Sequence, residues 1–330
     1  MIKAVRTVIH YDRSCFFPAG LFLLFSFFTI PAFSSEFSPQ KAEFSVRVND
    51  LVVSYRVMSI FAMPGENLRI GVKASREKSI FYLHSLPAKK KSILPRQWEW
   101  EAPVSPGHYV LNITNAETTA TVSLNVFVLV PFDQIEGEYL NGYRIGKYPH
   151  TPLKQLAVYK PPRGFIEVTR ENAETLISPH FRLAQFLCKQ EGGYPKYLVL
   201  KERLLLKLEL LLERINQKGY HCNSFHIMSG YRTPYYNKAI GNVKYSRHVY
   251  GGAADFFIDE NSKDDMMDDL NRDGKIYFKD AAIIYETIDE LYGKKFYARL
   301  TGGLARYKKT SYHGPFVHVD VRGFRARWSD

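Results

Sequence analysis

Between residues 44 and 130 apolar and polar positions alternate with a period of two. Phe44/Val46/Val48, Leu68/Ile70/Val72, Tyr109/Leu111/Ile113 and Val122/Leu124/Val126/Val128 each place every second side chain on one face. That is the pattern of strands with one buried side. Pro64-Gly65 and Pro106-Gly107 punctuate the runs as turns. The spacing predicts an antiparallel β-sandwich of immunoglobulin type over residues 40–131, with Trp98 and Trp100 in its core. No chemistry-bearing cluster lies there, so its expected role is binding or spacing. Residues 132–175 break the pattern with Gly142, Gly146, Pro149, Pro161, Pro162 and Gly164. They read either as a linker or as an extended arm laid across the second domain.

The period then changes to that of a helix. Phe181, Leu183, Phe186 and Leu187 share a predicted helical face starting near Ser178-Pro179. The stripe is strongest from Lys201 to Gln217, with Leu204, Leu205, Leu208, Leu211, Leu212 and Ile215, and Gly219 stops it. It is too short for heptads, which makes it core and not a zipper. A further helix is expected around residues 281–291. The fold class expected is α+β, a sandwich followed by residues 176–330 as a small antiparallel sheet flanked by helices.

The first 34 residues stand apart. Lys3, Arg6 and Arg13 precede an apolar run from Cys15 to Ile30, and small residues follow at Ala32 and Ser34. A basic start, an apolar stretch of about 15 residues and a small-x-small site read as a secretory signal. The other reading is an uncleaved membrane anchor, for which the run is short. Export to a periplasm or cell envelope is therefore expected. Hydrophobic residues at 45% and charged residues at 24% exclude a disordered chain. Three cysteines cannot staple 330 residues. Cys188 and Cys222 either pair, closing a loop of about 34 residues for about 3 kcal/mol, or stay separate buried thiols. The formal charge of +12 points to an anionic partner without naming it. Without a basic recognition motif, nucleic acid is not expected, and no transmembrane partner is implied.

Chemistry concentrates in two places. In Ser246-Arg247-His248-Val249-Tyr250-Gly251-Gly252-Ala253-Ala254-Asp255, a histidine and an aspartate are separated by small residues that let the chain fold back. Near the C-terminus, Phe316-Val317-His318-Val319-Asp320-Val321 alternates as a strand with His318 and Asp320 on one face. Two histidines and a carboxylate form a three-ligand zinc set with one position open to water. Such a site activates water and polarises a carbonyl for amide hydrolysis.

These motifs resemble the zinc D-alanyl-D-alanine carboxypeptidase family of bacterial cell-wall peptidases, closest to the branch whose last strand reads Phe-Val-His-Val-Asp. Ser229-Gly230-Tyr231-Arg232, Gly302-Gly303-Leu304 and Ala326-Arg327-Trp328 also resemble family segments in the same order. The likeness covers residues 178–328, less than half the chain. It implies zinc ligands His248, Asp255 and His318. It also implies that Arg232 holds substrate or the oxyanion, and that Ser246 hydrogen-bonds within the site. Many relatives carry the general base three residues before the last ligand, where this chain has Pro315. Asp320 and His313 are the replacements, with Asp320 preferred as base or as a partner orienting a ligand. His108, His180, His221 and His226 are expected to be structural.

Between the second and third ligands, residues 269–280 read Asp269-Leu270-Asn271-Arg272-Asp273-Gly274-Lys275-Ile276-Tyr277-Phe278-Lys279-Asp280. Oxygen side chains at positions 1, 3, 5 and 12, glycine at 6 and the Lys275 carbonyl at 7 match a calcium loop. Asp280 in place of glutamate resembles the loops of dockerin modules. The expectation is a structural Ca2+ beside a catalytic Zn2+. The whole predicts an exported zinc metallopeptidase cutting D-amino-acid bonds in peptidoglycan stem peptides, as carboxypeptidase or endopeptidase. The alternative is an inactive, metal-containing wall-binding or scaffolding protein. Contact with an anionic envelope surface would suit the charge.

Overall fold

The computed structural model describes residues 37–74, 78–85, 90–261 and 263–329. The expected signal, residues 1–34 with Cys15, lies outside them. Residues 37–330 cluster as one compact unit. Its first part contains nine strands: β1 (Lys41–Val48), β2 (Leu51–Tyr55), β3 (Val57–Ala62), β4 (Asn67–Lys73), β5 (Phe81–Ser85), β6 (Lys90–Leu94), β7 (Gln97–Glu101), β8 (Gly107–Asn115) and β9 (Thr121–Val128). They form a five-stranded sheet in the order β2-β1-β4-β7-β6 and a four-stranded sheet β3-β9-β8-β5. All pairs are antiparallel except β3 with β9. Val46, Val48, Leu68, Ile70 and Trp100 on one sheet, and Leu111, Ile113, Val122, Leu124 and Val126 on the other, are buried. Phe44 on β1 meets the Phe81 ring on β5 at 4.8 Å across the gap. Strand β3 escaped the alternation rule because all but its first residue are buried. A strand covered on both sides loses its polar face.

The connector carries β10 (Val130–Pro131), β11 (Tyr139–Leu140), β12 (Tyr143–Arg144) and β13 (Gly164–Val168). It runs as an arm along the second half. The Tyr235 amide donates to the Ile145 carbonyl, and the Tyr245 hydroxyl to the Thr151 carbonyl at 3.0 Å. Tyr148 donates to the Val249 carbonyl at 3.1 Å and meets the Tyr231 hydroxyl at 3.0 Å.

Next come β14 (Leu176–Ser178) and β15 (Phe181–Arg182), which pair with each other, and β16 (Lys196–Leu198), which joins β13. The helix expected from Phe181 to Leu187 is corrected. The chain turns at Pro179-His180, and residues 183–186 form only a 3-10 turn. Phe181, Leu183 and Phe186 are still fully buried, so the apolar spacing reported burial without the helix. Helix α1 (Glu202–Gln217) buries the predicted leucine stripe, and with it Lys207 and Glu209. Then β17 (His226–Ser229), α2 (Pro234–Ala239), β18 (Ala253–Phe257), α3 (Phe278–Asp289), β19 (Gly303–Tyr307), β20 (Phe316–Asp320) and β21 (Ala326–Ser329) complete the chain. The last five strands form one sheet in the order β17-β18-β20-β19-β21.

The two halves share polar ties as well as core. Tyr55 donates to Glu213 at 2.6 Å, and Lys41 pairs with the same carboxylate. The Phe61 amide donates to Glu202, and the Asn125 side chain to the Leu176 carbonyl. Cys188 and Cys222 are separate buried thiols. Cys222 donates to the Ser224 carbonyl and Cys188 to the Gln190 side chain, so the pairing alternative is not taken. No helix among the described residues is long and apolar enough to cross a membrane.

Candidate metal centre and cleft

His248 sits in a 3-10 turn (Arg247–Tyr250) that Gly251 ends in the left-handed region at φ 64°. A side chain on Gly251 would come within 2.3 Å of the Val199 carbonyl oxygen, so the turn can press against that backbone only with glycine there. Asp255 lies on β18 and His318 directly opposite on β20, so the ladder register brings ligands 63 residues apart in sequence face to face. His248 Nε2 lies 3.1 Å from Asp255 Oδ1 and 3.2 Å from His318 Nδ1, and His318 Nδ1 lies 2.7 Å from Asp255 Oδ1. These edges approach the roughly 3.3 Å donor spacing that follows from zinc–ligand bonds of about 2.0–2.1 Å in a tetrahedron. His248, Asp255 and His318 therefore fit a zinc ion in donor type and spacing, and all three are buried.

Each ring is aimed by its second nitrogen. His248 Nδ1 donates to the Gly230 carbonyl at 2.7 Å, which leaves Nε2 for a metal. His318 Nε2 faces Asp320 Oδ2 at 3.3 Å. Burial lowers the His248 pKa against the pull of Asp255. Burial also opposes charge on His318 and Asp255, but on Asp255 the contacts of His248 and then His318 outweigh it, and on His318 those of Asp255 and Asp320. His318 ends raised and Asp255 well below the usual carboxylate range.

Asp320 has no exposed surface and does not line the cleft. It accepts from the Gly303 amide at 2.8 Å and from the Arg322 backbone and guanidinium. Gly303 is required for that approach, since a Cβ there would lie 2.3 Å from Asp320 Oδ2. The preferred reading of Asp320 as general base is corrected, because its carboxylate lies behind His318 with its lone pairs committed. The geometry matches the other role, orienting a ligand. His313, half-buried, does line the cleft, with Nδ1 donating to the Gly314 carbonyl at 2.8 Å.

Arg232 also lines the cleft, and its Nη2 reaches Asp255 Oδ2 at 2.5 Å while Nε donates to Ser229 at 2.8 Å. Ser246 is buried at the mouth of the His248 turn and lines the same cleft, but its hydroxyl makes no cap bond. The cleft has a volume of about 1260 Å3. Tyr159 and Leu153 of the arm form part of its wall.

Sequence reasoning missed three cations around this site. Lys207 on α1 is fully buried and donates to the Asp320 carbonyl at 2.8 Å. Burial pushes its pKa down to about 7. The signal was a lysine inside a leucine stripe. Arg322, two residues past the end of β20, grips Asp320. Arg247 is buried between the rings of Tyr159 and Tyr250, at 4.8 and 5.3 Å; its Nη1 donates to the Val158 carbonyl, while Nε and Nη2 have no hydrogen-bond partner among the described residues.

In the expected calcium loop, Asp280 is buried and accepts from the Leu270, Asn271 and Tyr277 amides. Asp269 accepts from Asp273 and Gly274, and Asp273 from Lys275 and the Tyr277 hydroxyl. Asn271 contacts Asp273, and Lys275 is exposed. Among the described residues, Asp269, Asp273 and Asp280 do not form a cluster of facing ligand atoms. A second such group is instead His226, Asp259 and Asp265, where His226 faces Asp265 at 3.4 Å.

Residues 179–276 match the model of the family described as Peptidase M15, which supports a zinc peptidase domain. The matched stretch contains Arg232, His248 and Asp255; the sheet supplies His318 from beyond it. Among curated proteins none matches the chain. One solved structure, the ZirS C-terminal domain, is similar at 14% identity over 38% of this chain and 95% of that one, with a TM-score of 0.14.

Proposed function

We propose that this chain is an exported zinc metallopeptidase that hydrolyses D-amino-acid-containing peptide bonds of peptidoglycan. The observation that carries the reading is the His248–Asp255–His318 donor triangle, with edges of 2.7–3.2 Å, opening into a cleft beside Arg232. When bound, zinc would supply Lewis acidity at the scissile carbonyl and an activated water. Asp320 fixes His318 so that Nδ1 and not Nε2 faces the centre. The Gly230 carbonyl does the same for His248 through Nδ1. Arg232, held by Ser229 and Asp255, offers its guanidinium to the oxygen that gains charge as the carbonyl is attacked. His313 lines the cleft with Nδ1 turned to the Gly314 carbonyl, which leaves Nε2 to take the water's proton.

One observation favours a second reading. The position where relatives carry the base is Pro315, which is buried and has no proton to exchange. An inactive, metal-containing wall-binding protein would have this residue. The two readings separate on purified protein incubated with muropeptides, with and without zinc chelation. Chelator-sensitive cleavage is expected, and His248→Ala should lose both the zinc and the cleavage. Full hydrolysis by a zinc-free variant would overturn the assignment.

Three finer points belong to the same proposal. The signal-like leader supports export, and the charge of +12 suits an anionic envelope. The two-sheet sandwich, read as immunoglobulin-type, would bind or space. A structural Ca2+ in residues 269–280 rests on the spacing of that loop alone.

A further inference from the structure

The cleft does not end at the metal centre. Its walls take side chains from every strand of the five-stranded sheet: Met228 and Ser229 on β17, Asp255 on β18, His318 on β20, Tyr307 on β19 and Trp328 on β21. Asp255 and His318 stand on the second and third of these strands, so the groove continues past them on both sides. Neighbouring strands lie about 4.8 Å apart, so five strands span about 19 Å, the length of about six extended residues at about 3.3 Å each. A terminal dipeptide would fill one side and leave the other empty. The volume, about 1260 Å3, exceeds the roughly 300–1,000 Å3 of ordinary small-ligand pockets.

Lys189 and Lys244 stand exposed in the lining of the groove, whereas the arginines that line it are drawn into other contacts. Arg232 is engaged by Asp255 and Ser229, and Arg322 by Asp320. Among the described residues Arg247 has no carboxylate partner, but it is buried between Tyr159 and Tyr250 and donates to the Val158 carbonyl. The far end is instead aromatic: Trp328 donates to the Tyr307 hydroxyl at 2.7 Å, and Tyr312 is 95% exposed at the rim. Ile240, exposed at the end of α2, stands in the lining too. Exposed aromatic and aliphatic surface along a groove suits the backbone and side chains of a chain passing through.

We propose that the substrate lies across the whole sheet and is cut at an interior bond, which makes the protein an endopeptidase acting on extended or cross-linked peptides. This rests on the peptidase reading above, and the test separates the two. The probes are an N-acetylated, C-amidated hexapeptide with a central D-alanyl bond and the free dipeptide D-alanyl-D-alanine. Their affinities are measured on zinc-stripped full-length protein, then their hydrolysis on the zinc-loaded form. The capped hexapeptide should bind at least about tenfold tighter. Tyr312→Ala and Ile240→Ser should each weaken its binding about threefold or more, leaving dipeptide binding unchanged. With zinc, two tripeptide fragments are expected. Equal or weaker binding of the hexapeptide, or release of terminal residues alone, would overturn the proposal. Tight hexapeptide binding with no cleavage of any peptide would leave the groove assignment standing and remove the peptidase reading.

Discussion

The two halves of the molecule bury different things. In the sandwich, the buried polar side chains among the described residues are Ser59, Ser79, Asn115 and Asn125, all uncharged. The second half buries Lys207, Glu209, Arg232, Arg247, His248, Asp255, Asp268, Asp280, His318 and Asp320. Desolvating a charge costs several kcal/mol unless a partner offsets it. A chain that needs only a scaffold avoids that cost, and the sandwich does. Where a metal must be held between strands, carboxylates and imidazoles have to enter the interior, and further charges must follow to hold them. Asp320 supports His318, and Arg322 and Lys207 support Asp320 in turn.

The sharpest test of this contrast is a pair of substitutions. Asp255→Ala leaves Arg232 buried beside the histidines without its carboxylate. It should abolish zinc binding and cost about 3–5 kcal/mol of stability, read by bound-metal analysis and denaturant unfolding. Trp100→Ala should cost a similar amount, about 3–5 kcal/mol, through cavity formation, yet the folded fraction should keep full zinc content. Zinc lost on Trp100→Ala, or kept on Asp255→Ala, would break the contrast.

A smaller effect comes from Lys207. Its folded pKa lies near 7, below its ordinary value of 10.5. Between these pH values the unfolded chain binds the extra proton, so this residue's contribution to stability rises with pH across that window. Relative to Lys207→Met, the wild type should gain up to roughly 4 kcal/mol between about pH 7 and 10. A difference flat with pH would show that the lysine is not held in low dielectric. Smallest is calcium: adding the ion to protein freed of it should raise the melting temperature by a few degrees, about 1 kcal/mol, without changing zinc content. An unchanged melting curve would remove calcium from the loop.

How much of this was legible depended on range. His248 and Asp255 announce themselves because the small residues between them are costly unless a tight return is needed. His318 and Asp320 share a face by simple alternation. The task of Asp320 was not readable, because choosing between base and support depends on Arg322 and Gly303 arriving from other parts of the chain. Lys207 could be seen inside an apolar stripe, but its acceptor, a backbone carbonyl 113 residues away, leaves no trace in composition. The β3 strand vanished from the pattern because both its sides are covered. The arm over residues 132–175 was open between two readings until Tyr148, Ile145 and Thr151 were seen bonded to the second half.

Those tyrosine bonds, with Glu213 tied to Tyr55 and Lys41, have a mechanical consequence. The sandwich is not a bead on a string. Pulling on its strands loads the arm, and the arm carries a wall of the cleft through Leu153 and Tyr159.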